Sequence, residues 1–345
     1  MISNPEPRKT QVPFLELIDL ASEKVGGRTI SASDDFFAGK ENLLKAEPAI
    51  FIPGKFTENG KWMDGWESRR KRNLGPGNDH DWCVIQLGLP GRIKGLNVDT
   101  AFFVGNYPEY CSVDACVSTG DPASNTAWTE ILPKSRLQGG TENLFAISDA
   151  SRWTHVRLRI IPDGGVARLR VHGEVLPDLA KLKNSKEPID LAAAANGATV
   201  VACSDMFFGP KENLILPGRA QNMGEGWETR RKRGPVTADW IVIRSGLSGK
   251  VSKIEVDTNH FKGNFPESCS IEGCVYPSRD LSASDFRDRT DLKWIEILPR
   301  TKLQAHHQHI FGAEVLKSAV FDYFRLNIYP DGGVSRLRIF GTPTA

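Results

Sequence analysis

Apolar residues along this chain fall into many short runs in which they alternate with polar ones. WCVIQLG (82–88), VRLRII (156–161) and ARLRVHG (167–173) are such runs, and WIVIRSG (240–246), YFRLNIY (323–329) and SRLRIF (335–340) are others. With a period near two and many β-branched or aromatic side chains, they predict short β-strands with one buried face. Turn-forming stretches separate them, among them LPGR (89–92), PDGG (162–165) and FKGNFPE (261–267). No long run with a helical period competes. Many short strands punctuated in this way predict an all-β chain built as β-sandwich or jelly-roll domains.

The same pattern occurs twice. SDDFFAGKENLL (33–44) returns as SDMFFGPKENLI (204–215), at an offset of 171, and GWESRRKR (65–72) returns as GWETRRKR (226–233), at 161. DWCVIQLGL matches DWIVIRSGL and VDTAFFVGNYPE matches VDTNHFKGNFPE, both at 158. WTEILPKSRLQ matches WIEILPRTKLQ at 166, and IPDGGVARLRVHG matches YPDGGVSRLRIFG at 168. Six blocks in one order define a tandem duplication with a domain-sized period. The drifting offsets mark loop insertions, one of them in repeat two around the polar stretch SRDLSASDFRDRTD. The layout read from this is an N-terminal arm (1–26), repeat one (27–173), a linker (174–197) and repeat two (198–345). The linker holds Pro177, Asn184, Pro188 and Gly197, with a short helix expected over LAAAA (191–195).

Composition narrows the picture. A chain of 345 residues, 40% hydrophobic and 25% charged, has the make-up of a soluble globular protein with room for two cores. A formal net charge of +2, without a wider basic stripe, predicts no nucleic-acid partner. No run approaches the roughly 18 apolar residues of a membrane span, so no membrane partner is expected. The polar, proline-bearing start lacks the apolar core of a secretory signal, which makes the cytoplasm the expected location. Of the six cysteines, Cys111 and Cys116 share one strand-like segment, and Cys269 and Cys274 share its copy. Their spacing places the two thiols of a pair on opposite faces of a strand, about 16 Å apart, beyond disulfide reach. Cys83 and Cys203 add nothing to a ligand set, so buried free thiols are expected throughout.

Candidate chemistry concentrates in three blocks. If Pro162, Asp163, Gly164 and Gly165 form a hairpin loop, Arg159 faces Arg168 and Arg157 faces Arg170, with Leu158 opposite Leu169. In repeat two Arg325 then faces Arg338, and Asn327 faces Arg336. Like charges directly opposite are unfavourable, so this face needs neighbouring carboxylates or a bound anion, for which arginine offers a bidentate fork. The GWE blocks read as loops anchored by a buried Trp. Arg70 and Arg231 in them are candidate anion ligands, although a merely basic surface stretch has the same composition. Glu67 and Glu228, set among arginines, are expected to stay ionised with depressed pKa values, suited to orienting a substrate N–H or activating water. The third block carries Asp99 and Asp257 on the polar side of their strands. Asn106 and Asn264 follow near loop tips, as ligand contacts or as caps of the turn. His306, His307 and His309 form HHQH in repeat two, where repeat one has Gly140, Thr141 and Asn143. His309 is retained as a catalytic candidate. No carboxylate or thiol stands at ligand spacing from it, so no metal is assigned. No cofactor is predicted either, a divalent metal being left open.

The landmarks in each repeat are an early Asn-Leu, a Trp-bearing loop, W-x-x-x-x-L-G, a later W-x-E-I and an expected closing hairpin ending in Gly. Their order resembles the discoidin, or galactose-binding-like, jelly roll. Taken together, FFAGKENL, GWESRRKR, VDTAFFVGN and YPDGGVSRLR resemble the allantoicase family over nearly the whole chain, duplication included. The resemblance implies two tandem jelly rolls and hydrolysis of allantoate to ureidoglycolate and urea. Allantoate carries one carboxylate and two ureido arms, which fits a site of arginines and carboxylates. A homo-oligomer is left open, as is a non-catalytic, carbohydrate-binding duplicated jelly roll. The copies differ at His309 against Asn143, Asn327 against Arg159, and Tyr323 against His155, so both need not be competent.

Overall fold

The computed structural model describes residues 12–234, 238–276, 281–316 and 319–344. The chain divides into two compact units, Met1–Leu176 and Pro177–Ala345. The spine of unit one is a single 19-residue strand, Asp81–Asp99, whose side chains alternate between buried and half-buried along much of its length. Its first half pairs with Arg28–Ala32 on one side and Trp153–Ile161 on the other. Tyr110–Cys116 and Thr129–Arg136 extend that layer. Its second half pairs with Glu142–Ala146 and with Arg168–Val175, beyond which lies Ile18–Asp19. Register shifts at Trp153/His155 and at His172/Gly173 mark where the spine passes from one set of partners to the other. Such irregularities bend a strand, and one bent strand shared by two layers closes a sandwich. Unit two repeats this around Asp239–Asp257, flanked by Thr199–Cys203, Val320–Tyr329, Gln308–Phe311 and Arg336–Pro343. The chain is thus all-β, two tandem jelly-roll sandwiches.

The expected hairpin across PDGG does not form. Trp153–Ile161 and Arg168–Val175 pair with opposite halves of the spine and not with each other. Leu158 lies beside Cys83 and Val113, and Leu169 beside Val98. Between them Gly165–Val166 crosses over and pairs with Trp66–Glu67. Alternation had reported correctly which face of each strand is buried, but it carries no information on the partner strand.

Strand pairing also moves the domain boundaries. Asp19, placed in the arm, accepts the N–H groups of Val171 at 2.9 Å and Ala21 at 3.1 Å, tying its segment to the last strand of unit one. Asp190, placed in the linker, does the same for Ile339 and Ala192, each at 3.0 Å. Leu20 and Leu191 behind these aspartates are fully buried, so residues from 18 and from 189 onward belong to the sandwiches. Over LAAAA the helix shrinks to a 3-10 turn at Ala194–Asn196. Part of the polar insertion of repeat two, residues 277–280, and arm residues 1–11 lie outside the described residues. Unit one has a longer segment of its own. The repeat offset falls from 171 to 161 between Leu44 and Gly65, and a small hairpin, Phe56–Thr57 with Gly60–Lys61, forms there. All six cysteines are free. The paired ones sit in the strands Tyr110–Cys116 and Ser268–Cys274, as the spacing predicted.

Candidate functional site

Three loops meet in each unit. In unit one Trp66 is fully buried and its indole N–H donates to the Asp34 carbonyl at 2.8 Å. Asn42, from the KENL block, donates to the Gly65 carbonyl at 2.9 Å. These anchors set Glu67 opposite Gly165 of the PDGG segment. The loop that follows is held by the same segment. Ser68 N–H donates to the Gly164 carbonyl at 3.2 Å, and Lys71 N–H to the Asp163 carboxylate at 2.8 Å. Gly165 N–H in turn donates to the Asn106 carbonyl at 2.8 Å, drawing in the third loop. Gly164 has φ +134°, and a Cβ there would lie 2.7 Å from that carbonyl, an approach only glycine permits. Unit two repeats the set with Trp227 on Asp205, Asn213 on Gly226, Lys232 on Asp331 and Gly333 on Asn264.

The loops bring a carboxylate and an amide together. Asn106 Nδ2 donates to Glu67 Oε1 at 2.7 Å, and Asn264 Nδ2 to Glu228 Oε1 at 2.5 Å. Each pair lines a cavity. That of unit one holds about 690 Å³ between Phe37, Phe51, Lys61, Met63, Phe102 and Val104. That of unit two holds about 760 Å³ and carries more charged groups, with Arg231, Lys232, Glu267 and Lys302 beside Phe208 and Phe265. The difference comes largely from the longer segment of unit one, which supplies Phe51, Lys61 and Met63. Phe51 stacks on Phe102 with ring centroids 5.9 Å apart, and Lys61 Nζ lies 4.6 Å from the Phe51 ring centre.

Burial in this apolar cavity lifts the Glu67 carboxyl above its ordinary pKa, and the Asn106 N–H opposes the shift without cancelling it. This reverses the expectation of a depressed value. The arginines next to Glu67 in sequence point elsewhere: Arg69 is turned onto Asp34, Nε to Oδ2 at 2.6 Å, and Arg70 is exposed. Nor do Asn106 and Asn264 serve merely as turn caps, since their side chains are the partners of the two glutamates. Arg70 and Arg231 form no hydrogen bond or ion pair with a described residue, and Arg231 lines its cavity.

The other arginines brace the fold. Arg157 and Arg159 both reach Asp114 at 2.7 Å, and Arg325 reaches Glu272 at 2.7 Å. In the place of Arg159, Asn327 donates to the same Glu272 at 2.8 Å. Arg168 is buried, paired with Asp64 at 2.7 Å and donating to the carbonyls of Glu47, Asp64 and Ala167. Arg336 donates likewise to Gly218, Glu225 and Ser335, and its burial pushes its pKa down to about 10. Arg170 grips the carbonyls of Ala46 and Glu47, and Arg338 those of Leu216 and Gly218. The like-charge stack is absent because the strands are not neighbours, and each guanidinium is taken up by protein oxygens.

His309 is engaged at both nitrogens. Nε2 accepts from Gln304 N–H at 2.8 Å, so Nδ1 carries the proton that it donates to the Val256 carbonyl at 3.0 Å. Asn143 does the same work in unit one, accepting from Gln138 N–H and donating to the Val98 carbonyl. Burial lowers the His309 pKa, which favours the neutral ring. A catalytic role at Glu228 finds no support here, since His309 does not line that cavity. Asp99 lines a different cavity from Glu67, and Asp257 is fully buried under Arg219 at 3.0 Å. Among the described residues no group of three or more His, Cys, Asp or Glu is arranged to hold a metal ion. Nor is any helix among them long and apolar enough to cross a membrane. The aromatic wall of unit one is not legible in the repeated blocks, because Phe51 and Lys61 fall in the segment where unit one is the longer by ten residues.

Fold and site together define a tandem jelly-roll protein with a glutamate–asparagine pocket in each copy. The profile of the Allantoicase repeat family matches residues 18–176 and again 189–344. Over 329 residues the chain is 47% identical to a probable allantoicase of Photobacterium profundum, covering 95% of this chain and 97% of the relative. It is 47% identical over 331 residues to one of Stutzerimonas stutzeri, covering 96% and 97%. The crystal structure of allantoicase from Saccharomyces cerevisiae superposes with a TM-score of 0.77 at 35% identity, covering 94% of this chain and 93% of that one. The chain belongs to the allantoicase family.

Proposed function

We propose that this allantoicase hydrolyses allantoate in the cavity of unit one, with Glu67 as the proton donor. The overall reaction breaks one bond between the central methine carbon and a ureido nitrogen. The hydroxyl of water is placed on that carbon, and the nitrogen leaves with a proton as urea. A ureido anion is a poor leaving group, so the departing nitrogen must be protonated as the bond breaks. One observation carries the assignment. Glu67 is held by Asn106 in an apolar cavity where burial raises its pKa, and a carboxyl whose surroundings favour its protonated form is suited to act as an acid. Lys61 on the wall supplies positive charge for the substrate carboxylate. The stacked Phe51 and Phe102 offer flat surface to a planar ureido arm.

A second reading places the chemistry at Glu228, favoured by the basic residues Arg231, Lys232 and Lys302 around the cavity of unit two. The six unpaired cysteines support a reducing, cytoplasmic setting. The pH dependence of urea release tests the main reading. With Glu67 as acid, kcat falls as pH rises through its raised pKa, and Glu67→Gln removes that limb along with most of the rate. A descending limb that persists in folded Glu67→Gln would remove Glu67 from the role.

A further inference from the structure

Unit one holds a second cavity, of about 450 Å³, which the reaction above does not use. Its lining sets the acids Asp19, Asp99 and Glu142 and the amide of Asn97 among the bases Lys24, Arg168 and Arg170. One of its acceptors is unmet. Asn97 Oδ1 is buried without a hydrogen-bond partner among the described residues, and Asn97 as a whole is only 5% exposed, while Asp19 Oδ2 has the Arg170 guanidinium at 3.6 Å. The Asn97 amide nitrogen is committed to Glu142 Oε1 at 3.0 Å, leaving the oxygen for something else. The Asp99 carboxylate accepts the Ala101 N–H at 2.8 Å and makes no ion pair within 4.0 Å among the described residues. Buried acceptors left unmet are costly, and such a group in a cavity points to an absent donor.

Unit two shows the donor that fits. Asp257 stands opposite Arg336 in the sheet as Asp99 stands opposite Arg168. A guanidinium grips its carboxylate: Arg219 Nε reaches Oδ2 at 3.0 Å and Nη2 reaches Oδ1 at 3.4 Å. The remaining carboxylates are matched one for one. Asp190 replaces Asp19, and the Asn97–Glu142 pair returns with its types exchanged, Gln308 donating to Glu255 at 2.7 Å. Arg338 likewise replaces Arg170, each lying 3.6 Å from its aspartate. Only the guanidinium of Arg219 has no counterpart, because at the offset of 171 its place in unit one falls to Pro48. Pro48 lines the cavity and brings no charge. The two units therefore carry matching carboxylates, with a guanidinium on Asp257 in unit two and none from the described residues on Asp99 in unit one.

We propose that this cavity binds a small molecule bearing a guanidinium or amidinium group. The planar N–H fork lies on Asp99, as that of Arg219 lies on Asp257, and a further N–H meets Asn97 Oδ1. The geometry excludes a simple quaternary cation, which has charge but no N–H to give.

Titration of the full-length protein with methylguanidinium, followed calorimetrically, tests this. The expected result is saturable binding at one site in the millimolar range or tighter, with no binding of tetramethylammonium. Asp99→Asn, which keeps the acceptor for Ala101, weakens the affinity at least about tenfold, the loss of a charge-assisted bidentate contact. Arg219→Ala frees the equivalent carboxylate, and its stoichiometry rises from one to two. Circular dichroism confirms that each variant is folded. Absence of saturable binding to the wild type, equal affinity in Asp99→Asn, or a stoichiometry of one in folded Arg219→Ala would overturn the proposal. None of these readouts depends on the role of Glu67.

Discussion

Glu67 and Arg168 show how far a residue's chemistry departs from its sequence neighbours. Glu67 is followed by Ser68 and two arginines, yet its side chain leaves them for Asn106 and an apolar wall. The composition of the block therefore predicted the wrong direction of its pKa shift. Its folded-state pKa lies above its ordinary value, so the folded protein holds this proton more tightly than the unfolded chain. The resulting stabilisation is complete below the unfolded pKa and is lost as pH rises through the folded one. Glu67→Gln, which cannot ionise, should accordingly gain on the wild type in denaturant midpoint as pH is raised from the acid range to neutrality; a gap that narrows with rising pH would show that the carboxyl is not desolvated. Arg168 was a candidate substrate ligand because it is an arginine beside arginines. Its burial against Asp64 and three carbonyls makes it a brace for the loop that carries Glu47 and Asp64. Arg168→Met should lower stability by about 3–5 kcal/mol, since it leaves the buried Asp64 charge only the exposed Lys45 at 3.5 Å, as read from denaturant unfolding. Unchanged stability combined with a raised KM for allantoate would restore Arg168 to the substrate.

The elements themselves were largely legible. Alternating runs such as VRLRII and ARLRVHG became strands with the predicted faces inward, because alternation is a direct record of one-sided burial. What alternation could not supply was the neighbour of each strand, and so the PDGG segment was read as a hairpin when it is a crossing between layers. The boundaries were misplaced for a related reason. Ile18–Asp19 and Ile189–Asp190 are two-residue strands, too short for any periodicity, and an aspartate that accepts backbone N–H groups holds each in place. A chain beginning at residue 27 would lack Asp19 and the fully buried Leu20 and Ala21. Loss of a buried leucine alone costs about 2–5 kcal/mol, so this truncation should unfold unit one at a distinctly lower temperature, whereas a chain beginning at residue 12 should not. Gly164 acts at the same scale through backbone geometry. Gly164→Ala should push away the Asn106 carbonyl, displace the amide from Glu67, and lower kcat more than it raises KM. A variant with normal kcat would show that the loops tolerate the shift.

Across the whole molecule the duplication is the main organising fact, and it was the clearest signal in the sequence. The six repeated blocks turn out to be the parts that build the spine, the braces and the glutamate–asparagine pockets of both units. Divergence is concentrated where the blocks fall out of step. The ten-residue difference before Gly65 lines one pocket with Phe51 and Lys61, while the other pocket is walled by Arg231, Lys232 and Lys302. That asymmetry could not be read from matching blocks, because it lies largely outside them. It also makes the two copies separable by experiment. The most direct measurement is steady-state urea release from allantoate by folded Glu67→Gln and folded Glu228→Gln, compared side by side. Removing a general acid is expected to cost roughly 10²–10⁴-fold in kcat. The account predicts that loss for Glu67→Gln, with kcat of Glu228→Gln staying within about tenfold of wild type. The opposite ranking, or an equal and small effect of both changes, would contradict catalysis in the unit-one cavity.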